Sequence, residues 1–385
     1  MMGSMMRRAM LGDGSTLSLD FTQMSTLADL TSRGLTFSRS TSGTYINASG
    51  LVATATAGNP RFDYDTSGNP RGILLEGSAT NLVYHSETLR LTAVATEPYW
   101  ADSASISRGN DTAPDGTANA AVNFVAIGTA GTVIQTAAVG TSANRTFSFW
   151  ARRTGGGTVE YTLDNGSTWI AVTITANWVR YTATATNANQ RVGFRVAIGA
   201  GTSIWGAQLE AGAGSSSYIP TAASTGNRAE DTCYMDGTNF SSWYSASTQT
   251  GTLFADITHS ALSNTNGGIE LGNGLGSQTS SNRVSLRRDG VIVDGVSAIT
   301  VSPTGASQRF KTAIAFAPGT SNTAACRNGG TVSNPAQAAG TLSGINALKF
   351  YIDASPSLRP YGWVRQVKVW PTNLANATLQ AITTL

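Results

Sequence analysis

Gly201-Thr-Ser-Ile-Trp-Gly-Ala-Gln-Leu-Glu-Ala-Gly-Ala-Gly-Ser-Ser-Ser-Tyr-Ile-Pro220 is the stretch that decides the fold. Its first half alternates. Ile204, Gly206 and Gln208 fall on one side, and Trp205, Ala207 and Leu209 on the other, which is the period of a buried β-strand. Its second half is a Gly/Ser run, too flexible for a strand interior, closing on Tyr218-Ile219-Pro220. The stretch reads as the last strand of one β-sandwich and the exit towards another.

Upstream, short strands recur with turn signals between them. Ala121–Ile127, Thr132–Thr136 and Arg145–Ala151 carry Phe124, Val133, Phe147 and Phe149 at alternating positions. Thr158–Leu163 alternates Val159, Tyr161 and Leu163, then meets Asp164-Asn-Gly166, a strong hairpin signal before the returning strand Trp169–Ile174. Trp178–Thr182 and Arg191–Ile198 complete a set that argues a jelly roll over residues 86–222. Downstream, residues 232–385 offer Gly251–Ile257, Gly268–Leu271, Arg283–Arg287, Gly290–Val293, Phe310–Phe316, Ala347–Ile352 and Gly362–Trp370, a second sandwich. Only the tail, Asn376–Ile382, has helical spacing, with Leu379 and Ile382 at i and i+3. Residues 1–85 are rich in turns, with strand candidates at Ser15–Phe21, Leu35–Arg39, Gly72–Glu76 and Asn81–Tyr84. So turn-rich a segment is expected to gain its order from the next domain or from other copies of the chain. The expected fold class is all-β: two consecutive β-sandwiches after an irregular N-terminal segment.

Composition agrees. Apolar residues make up 41% of the 385, enough for sizeable cores, while charged residues are only 12%. That is about half a typical share, so helices with charged outer faces are not expected. A net charge of +3, with basic pairs only at Arg7-Arg8, Arg152-Arg153 and Arg287-Arg288, lacks the clustered face that nucleic acid needs. No apolar run approaches the roughly 18 residues of a membrane span. The N-terminus has no apolar run of a secretory signal, so synthesis in a cytoplasm without export is expected. Cys233 and Cys326 read as two small buried thiols, although a disulfide stays open.

The search for chemistry is mostly negative. There is no P-loop and no Gly-x-Ser-x-Gly elbow. His85 and His259 stand apart from any Cys or His partner, so neither a zinc site nor a cofactor is expected. Asp63-Tyr-Asp65-Thr-Ser67-Gly68 opens like a calcium loop, but its twelfth position is Leu74, so an Asp-stabilised turn is expected there. Glu is scarce, and Glu210, following a buried strand, is expected to hold a structural hydrogen bond. Sugar recognition by aromatic faces and amides fits better. Of the available rings, Trp100, Trp169, Trp178, Tyr181, Trp243 and Tyr244, the candidates for glycan-binding surface positions are Trp169, after a hairpin loop, and Trp243 and Tyr244, in a Ser-rich turn.

Three segments resemble bacteriophage virion proteins, the lectin-like modules of tail fibres, head fibres and capsid decorations. The first is Leu35–Tyr45 with Pro60-Arg-Phe-Asp-Tyr-Asp65, Arg71-Gly-Ile-Leu-Leu-Glu76 and Thr80-Asn-Leu82. The second is Ile204–Gly212 with Ser217-Tyr-Ile-Pro-Thr221, similar to the closing strand of a carbohydrate-binding-like jelly roll. The third is Phe310–Phe316, Asn328-Gly-Gly330 and Gly362–Pro371 with Leu374–Gln380, similar to the end of a concanavalin-like or laminin-G-like sandwich. The resemblance implies a non-enzymatic structural protein displayed on the virion, often a homotrimer. It implies anchoring to other virion proteins through residues 1–85 and, as further partner, host surface polysaccharide. It carries no catalytic or glycan-binding residue over. Two alternatives stay open: an envelope polysaccharide depolymerase, and a capsid or tail cement that binds no glycan.

Overall fold

A computed structural model describes residues 12–89, 99–103, 105–136, 143–156, 158–187, 190–259, 268–274, 282–288, 290–293, 299–300, 308–319, 323–335, 340–350 and 362–385. The chain is nearly all β and antiparallel, as the alternation predicts. The order of its parts is different. One seven-stranded sheet runs Ala324–Arg327, Arg309–Phe316, Gly251–His259, Gly362–Trp370, Pro70–Leu75, Arg61–Tyr64, and Leu17–Asp20 also pairs with Gly362–Trp370. The facing seven-stranded sheet runs Thr36–Ser38, Thr232–Asp236, Ala347–Phe350, Gly268–Gly272, Val284–Arg287, Gly290–Val293, Ile299–Thr300. One core lies between them and draws Leu19, Phe37, Phe62 and Ile73 from before residue 85, and Met235, Leu253, Leu286, Phe350 and Val364 from after residue 232.

The division expected at residue 85 therefore does not follow the sheets. Strands of the N-terminal segment are strands of the second sandwich, and the jelly roll is inserted between them. The N-terminal segment has too few apolar residues for a core of its own because those it has complete the sandwich core.

The inserted jelly roll packs the five-stranded sheet Val179–Asn187, Ala143–Arg153, Gly201–Ala211, Ala121–Ala126, Ile106–Asp111 on a second five-stranded sheet, Ile170–Val172, Val159–Thr162, Gly193–Val196, Gly131–Gln135, Trp100–Asp102. Phe147, Phe149 and Phe194 meet at its centre, with ring centroids 4.9–5.6 Å apart. The Asp164-Asn-Gly166 hairpin forms as predicted. Asn165 and Gly166 both take positive φ (61° and 81°), and Val159–Thr162 pairs with Ile170–Val172.

Strand Gly201–Ala211 corrects the simple alternation. Gly206 has φ +64°, and the pairing register with Ala143–Arg153 shifts opposite it, between Ser148 and Trp150. This bulge flips the side chains that follow. Ile204, Ala207 and Leu209 enter the jelly-roll core, while Trp205 joins a cluster on the other side, with Gln208 and Glu210 also away from that core. The Gly/Ser run folds back over that outer side. The Ser216 and Ile219 amides donate to Glu210 (2.8 Å) and Gln208 (2.6 Å). Glu210 thus holds the structural hydrogen bonds expected of it.

The tail helix spans Asn376–Thr383. Short helices Leu27–Ser32, started by a Thr26–Asp29 capping box, and Gly237–Ser241 were not legible as periodicity. Cys233 and Cys326 are free, buried thiols on different sheets. Tyr351 and Ile352, expected to end a strand, and Arg7-Arg8 lie outside the described residues.

Candidate functional site

The jelly roll is fixed to the sandwich by a buried ion network in which Arg39, Arg61 and Glu76 come from the resemblance motifs and Arg228 and Asp231 from the segment after the jelly roll. Arg61 pairs with both Glu76 and Asp231, Arg39 with Asp231 (2.9 Å), and Arg228 with Glu76 (3.3 Å). Every one of these side chains is 1% exposed or less. Ser217, from the jelly-roll exit, donates its amide (2.8 Å) and hydroxyl (2.6 Å) to Glu76. Asn81 does the same work at the entry. Its amide donates to the carbonyls of Ala207 (3.1 Å) and Ile219 (2.8 Å), and its oxygen accepts from the amides of Val83 and Leu209. Charges taken this far from water persist only when paired. Such a network tolerates one relative placement of the two bodies.

A hairpin, Gly43–Ile46 with Val52–Ala55, closes the junction. Its Val52 packs with Trp150, Trp205 and Tyr218 on the outer face of the jelly roll, where the three rings lie 4.6–5.5 Å apart. The Thr44 hydroxyl donates to the Tyr218 carbonyl (2.5 Å).

Beside this hairpin the two bodies leave a groove of about 690 Å³. The sandwich contributes Asp63, Arg71 and Trp363. The jelly roll contributes Trp150, Trp178, Arg180, Thr182 and Thr184, and its exit contributes Ser215–Ser217. Two guanidiniums lie on two indoles: Arg180 is 4.5 Å from the centroid of Trp150 and Arg71 is 3.4 Å from that of Trp363. Such stacks present cations and rings together. Trp178, half-buried, donates its indole N–H to the Thr112 carbonyl (3.1 Å).

Arg71 is placed by a second bulge. Asp63 pairs with Gly72 and Tyr64 with Pro70, so Arg71 has no partner in that ladder, and Gly72 takes φ +93°. A bulge re-aims the side chain it frees. Asp63 holds the other end of the arrangement, accepting from the Trp363 indole (2.6 Å) and the Ile46 amide (2.6 Å).

Burial pushes the Asp63 carboxyl up to about 6, against the lowering effect of its hydrogen bonds and of Arg71. A raised folded-state value means that the folded protein holds this proton more tightly than the unfolded chain. Its contribution to stability is full below the ordinary 3.8 and is lost as pH rises through 6. Paired urea melts of the wild type and Asp63→Asn check this. Between pH 4 and pH 7 the wild type is expected to lose roughly 2–3 kcal/mol relative to the variant. A difference that stays flat with pH contradicts the assignment.

The sequence-based candidates fall elsewhere. Trp243 and Tyr244 are not surface residues. The helix Gly237–Ser241 turns them onto Phe240 and into the sandwich core, each 8% exposed, although Tyr244 also edges a separate depression of about 590 Å³. Trp169 is half-buried on the second sheet of the jelly roll, under the Arg195 guanidinium (4.9 Å), and is not among the residues lining the groove. Asp63 and Asp65 do not converge as calcium ligands. Asp65 caps its own turn, accepting from the Ser67 and Asn69 amides, while Asp63 faces Trp363. Sequence reasoning missed Arg71, Trp150, Arg180 and Trp363. The signal lay in Arg71-Gly72, where a glycine that needs positive φ follows a long side chain.

No family model matches the chain, and no curated protein matches it. Solved structures do. A family 40 carbohydrate-binding module of the Ruminococcus gnavus IT-sialidase, bound to α2,3-sialyllactose, is 12% identical over 36% of this chain and 84% of its own, with a TM-score of 0.29. A family 29 carbohydrate-binding module is 12% identical over 35% of this chain and 88% of its own, with a TM-score of 0.25. The enzymatically active domain of tailspike protein 4 of bacteriophage CBA120 is 15% identical over 34% of this chain and 21% of its own, with a TM-score of 0.25.

Proposed function

We propose that this chain is a glycan-binding attachment protein of a bacteriophage particle, and that the groove between its two bodies takes the sugar. The observation that carries the reading is the lining of that groove: the half-buried Trp178 and the guanidinium-capped indoles of Trp150 and Trp363, beside hydroxyls and the carboxylates of Asp63 and Glu76, in a cleft of oligosaccharide size. Ring faces meet the CH-rich side of a sugar and the polar groups meet its hydroxyls. The fixed junction supports the reading too, because a preformed cleft costs little to order on binding. The phage origin is supported by the resemblance of the junction motifs, which run through Arg61, Glu76, Asn81 and Ser217. In this reading the chain binds without turnover and without a cofactor. It is held to the virion by its N-terminal side, and it acts as a cyclic homotrimer whose weak sites add by avidity.

A glycan array probed with the full chain tests this, followed by titration of the best ligand. Trp178→Ala is expected to weaken binding roughly tenfold, about 1.4 kcal/mol, without moving the melting temperature by more than a few degrees. A flat array with folded protein favours the cement role instead. One observation keeps the depolymerase as a second reading. Glu87 and Asp115 line a cavity of about 240 Å³ with Tyr218, and burial, then the charge of Asp115, pushes the Glu87 carboxyl up. A raised acid near a second carboxylate is the equipment of glycoside hydrolysis. Release of reducing ends by the wild type but not by Glu87→Gln would establish it.

A further inference from the structure

Other arginines of the two bodies are bonded to acceptors. Arg152 pairs with Asp111, Arg108 forks onto Asp102 (both bonds 2.6 Å), and Arg309 forks onto Asp256. Arg180 donates to the Ser216 carbonyl (2.7 Å) and the Ser148 hydroxyl (2.9 Å). Arg71 differs. Among the described residues its guanidinium meets the face of Trp363 and, at 3.8 Å, the carboxylate of Asp63, which is beyond hydrogen-bond reach. Asp63 is already accepting from Trp363 and Ile46. The other charges around Arg71 are Asp65, bonded within its own turn, and Arg365, of the same sign and bonded to the Pro70 carbonyl. The Arg71 side chain is 35% exposed and lines the groove.

We infer that the groove selects acidic sugars, and that Arg71 reads their carboxylate. The inference rests on the glycan-binding reading of the same groove. A guanidinium is a planar fork of N–H donors matched to two carboxylate oxygens, and charge-assisted pairs of that kind are roughly twice as strong as neutral ones. The Trp363 ring holds the plane of the fork and the Asp63–Trp363 hydrogen bond holds the ring, so the fork is oriented before a ligand arrives. The bulge at Arg71-Gly72 explains why a cation emerges there at all. Thr182 and Thr184, both exposed in the groove, supply hydroxyls for the remainder of the sugar.

The experiment is an array carrying uronic and sialic acid oligosaccharides beside their carboxyl-reduced counterparts, at fixed ionic strength, with titration of the best matched pair. The wild type is expected to bind the acid form roughly tenfold to a hundredfold more tightly. Arg71→Gln is expected to abolish that preference, the acid form falling to the affinity of the reduced form. Arg71→Lys, which keeps the charge and loses the fork, is expected to fall between them. Equal binding of acid and reduced forms, or an unchanged preference in Arg71→Gln with its melting curve intact, overturns the role of Arg71 and leaves the groove as a neutral-sugar site. Binding of neither form across the array overturns the glycan reading itself, and this inference with it.

Discussion

Glu76→Gln is expected to cost about 3–5 kcal/mol of unfolding free energy, read as a lowered urea midpoint. The substitution is nearly isosteric, so packing changes little and charge changes by one. It leaves Asp231 as the one carboxylate of the network, paired with Arg39 and Arg61, and takes from the buried Arg228 guanidinium the carboxylate it pairs with. Removing one partner of a buried pair leaves an uncompensated charge, and that costs more than the pair contributed. Ser217 stays bonded to the new amide only in part, because its amide and hydroxyl both donate to Glu76, and the amide nitrogen of glutamine cannot accept. The jelly-roll exit is therefore expected to loosen along with the sandwich. A double replacement, Arg61→Met with Glu76→Leu, is expected to cost less than the sum of its two single changes, since it removes charge of both signs. A loss below about 1 kcal/mol for Glu76→Gln would mean that water reaches the network.

Gly72→Ala is the second large effect. At this position φ is +93°, and a Cβ atom would lie 2.0 Å from the Val364 carbonyl oxygen and 2.9 Å from the Arg365 Cα. Both obstacles are backbone, so no side chain can swing aside. The strand Pro70–Leu75 must part from Gly362–Trp370, which is the pairing that ties Pro70–Leu75 and, through it, Arg61–Tyr64 to the sandwich. A loss above about 4 kcal/mol, or failure to fold, is expected, since strain and overpacking add. Gly58→Ala is the control. Its φ is +76° but nothing lies within 4 Å of the added atom, so only conformational strain of about 1 kcal/mol is expected there. If the two variants melt together, the close approach of these strands is wrong.

These two sites show what the sequence could and could not tell. The all-β class was legible because alternation is local: Phe147 and Phe149, or Val159 and Tyr161, declare a strand without knowledge of its partner. The Asn165-Gly166 turn was legible for the same reason. Strand order was not, because the pairing of Leu17 with Val369 links residues far apart in the chain and leaves no local mark. The N-terminal segment looked irregular because its strands complete a sheet begun and ended elsewhere. The bulges at Gly206 and Arg71-Gly72 broke the alternation by one residue, enough to send Trp205 and Arg71 to faces that simple counting denies them.

The site was less legible still. Trp243 and Tyr244 sit in a Ser-rich turn that reads as surface, yet a short helix carries them inward onto Phe240. Trp363 lies in a strand that reads as core, yet its indole faces the groove. What exposes Trp363 is the junction between two bodies, and no property of either body alone encodes it. The residues that make the junction were nonetheless visible as motifs, Arg61, Glu76 and Asn81 among them.

The central claim, that ligand enters between the two bodies, is tested most directly by the indole N–H resonances. The chain has eight tryptophans. In a two-dimensional ¹⁵N–¹H spectrum each indole reports its own surroundings. Titration with a bound acidic oligosaccharide is predicted to move the signals of Trp178 and Trp363, with a smaller shift for Trp150. It is predicted to leave those of Trp100, Trp169, Trp243 and Trp370 in place. Saturable shifts confined to Trp169 or Trp243, with Trp178 and Trp363 unmoved, would contradict it.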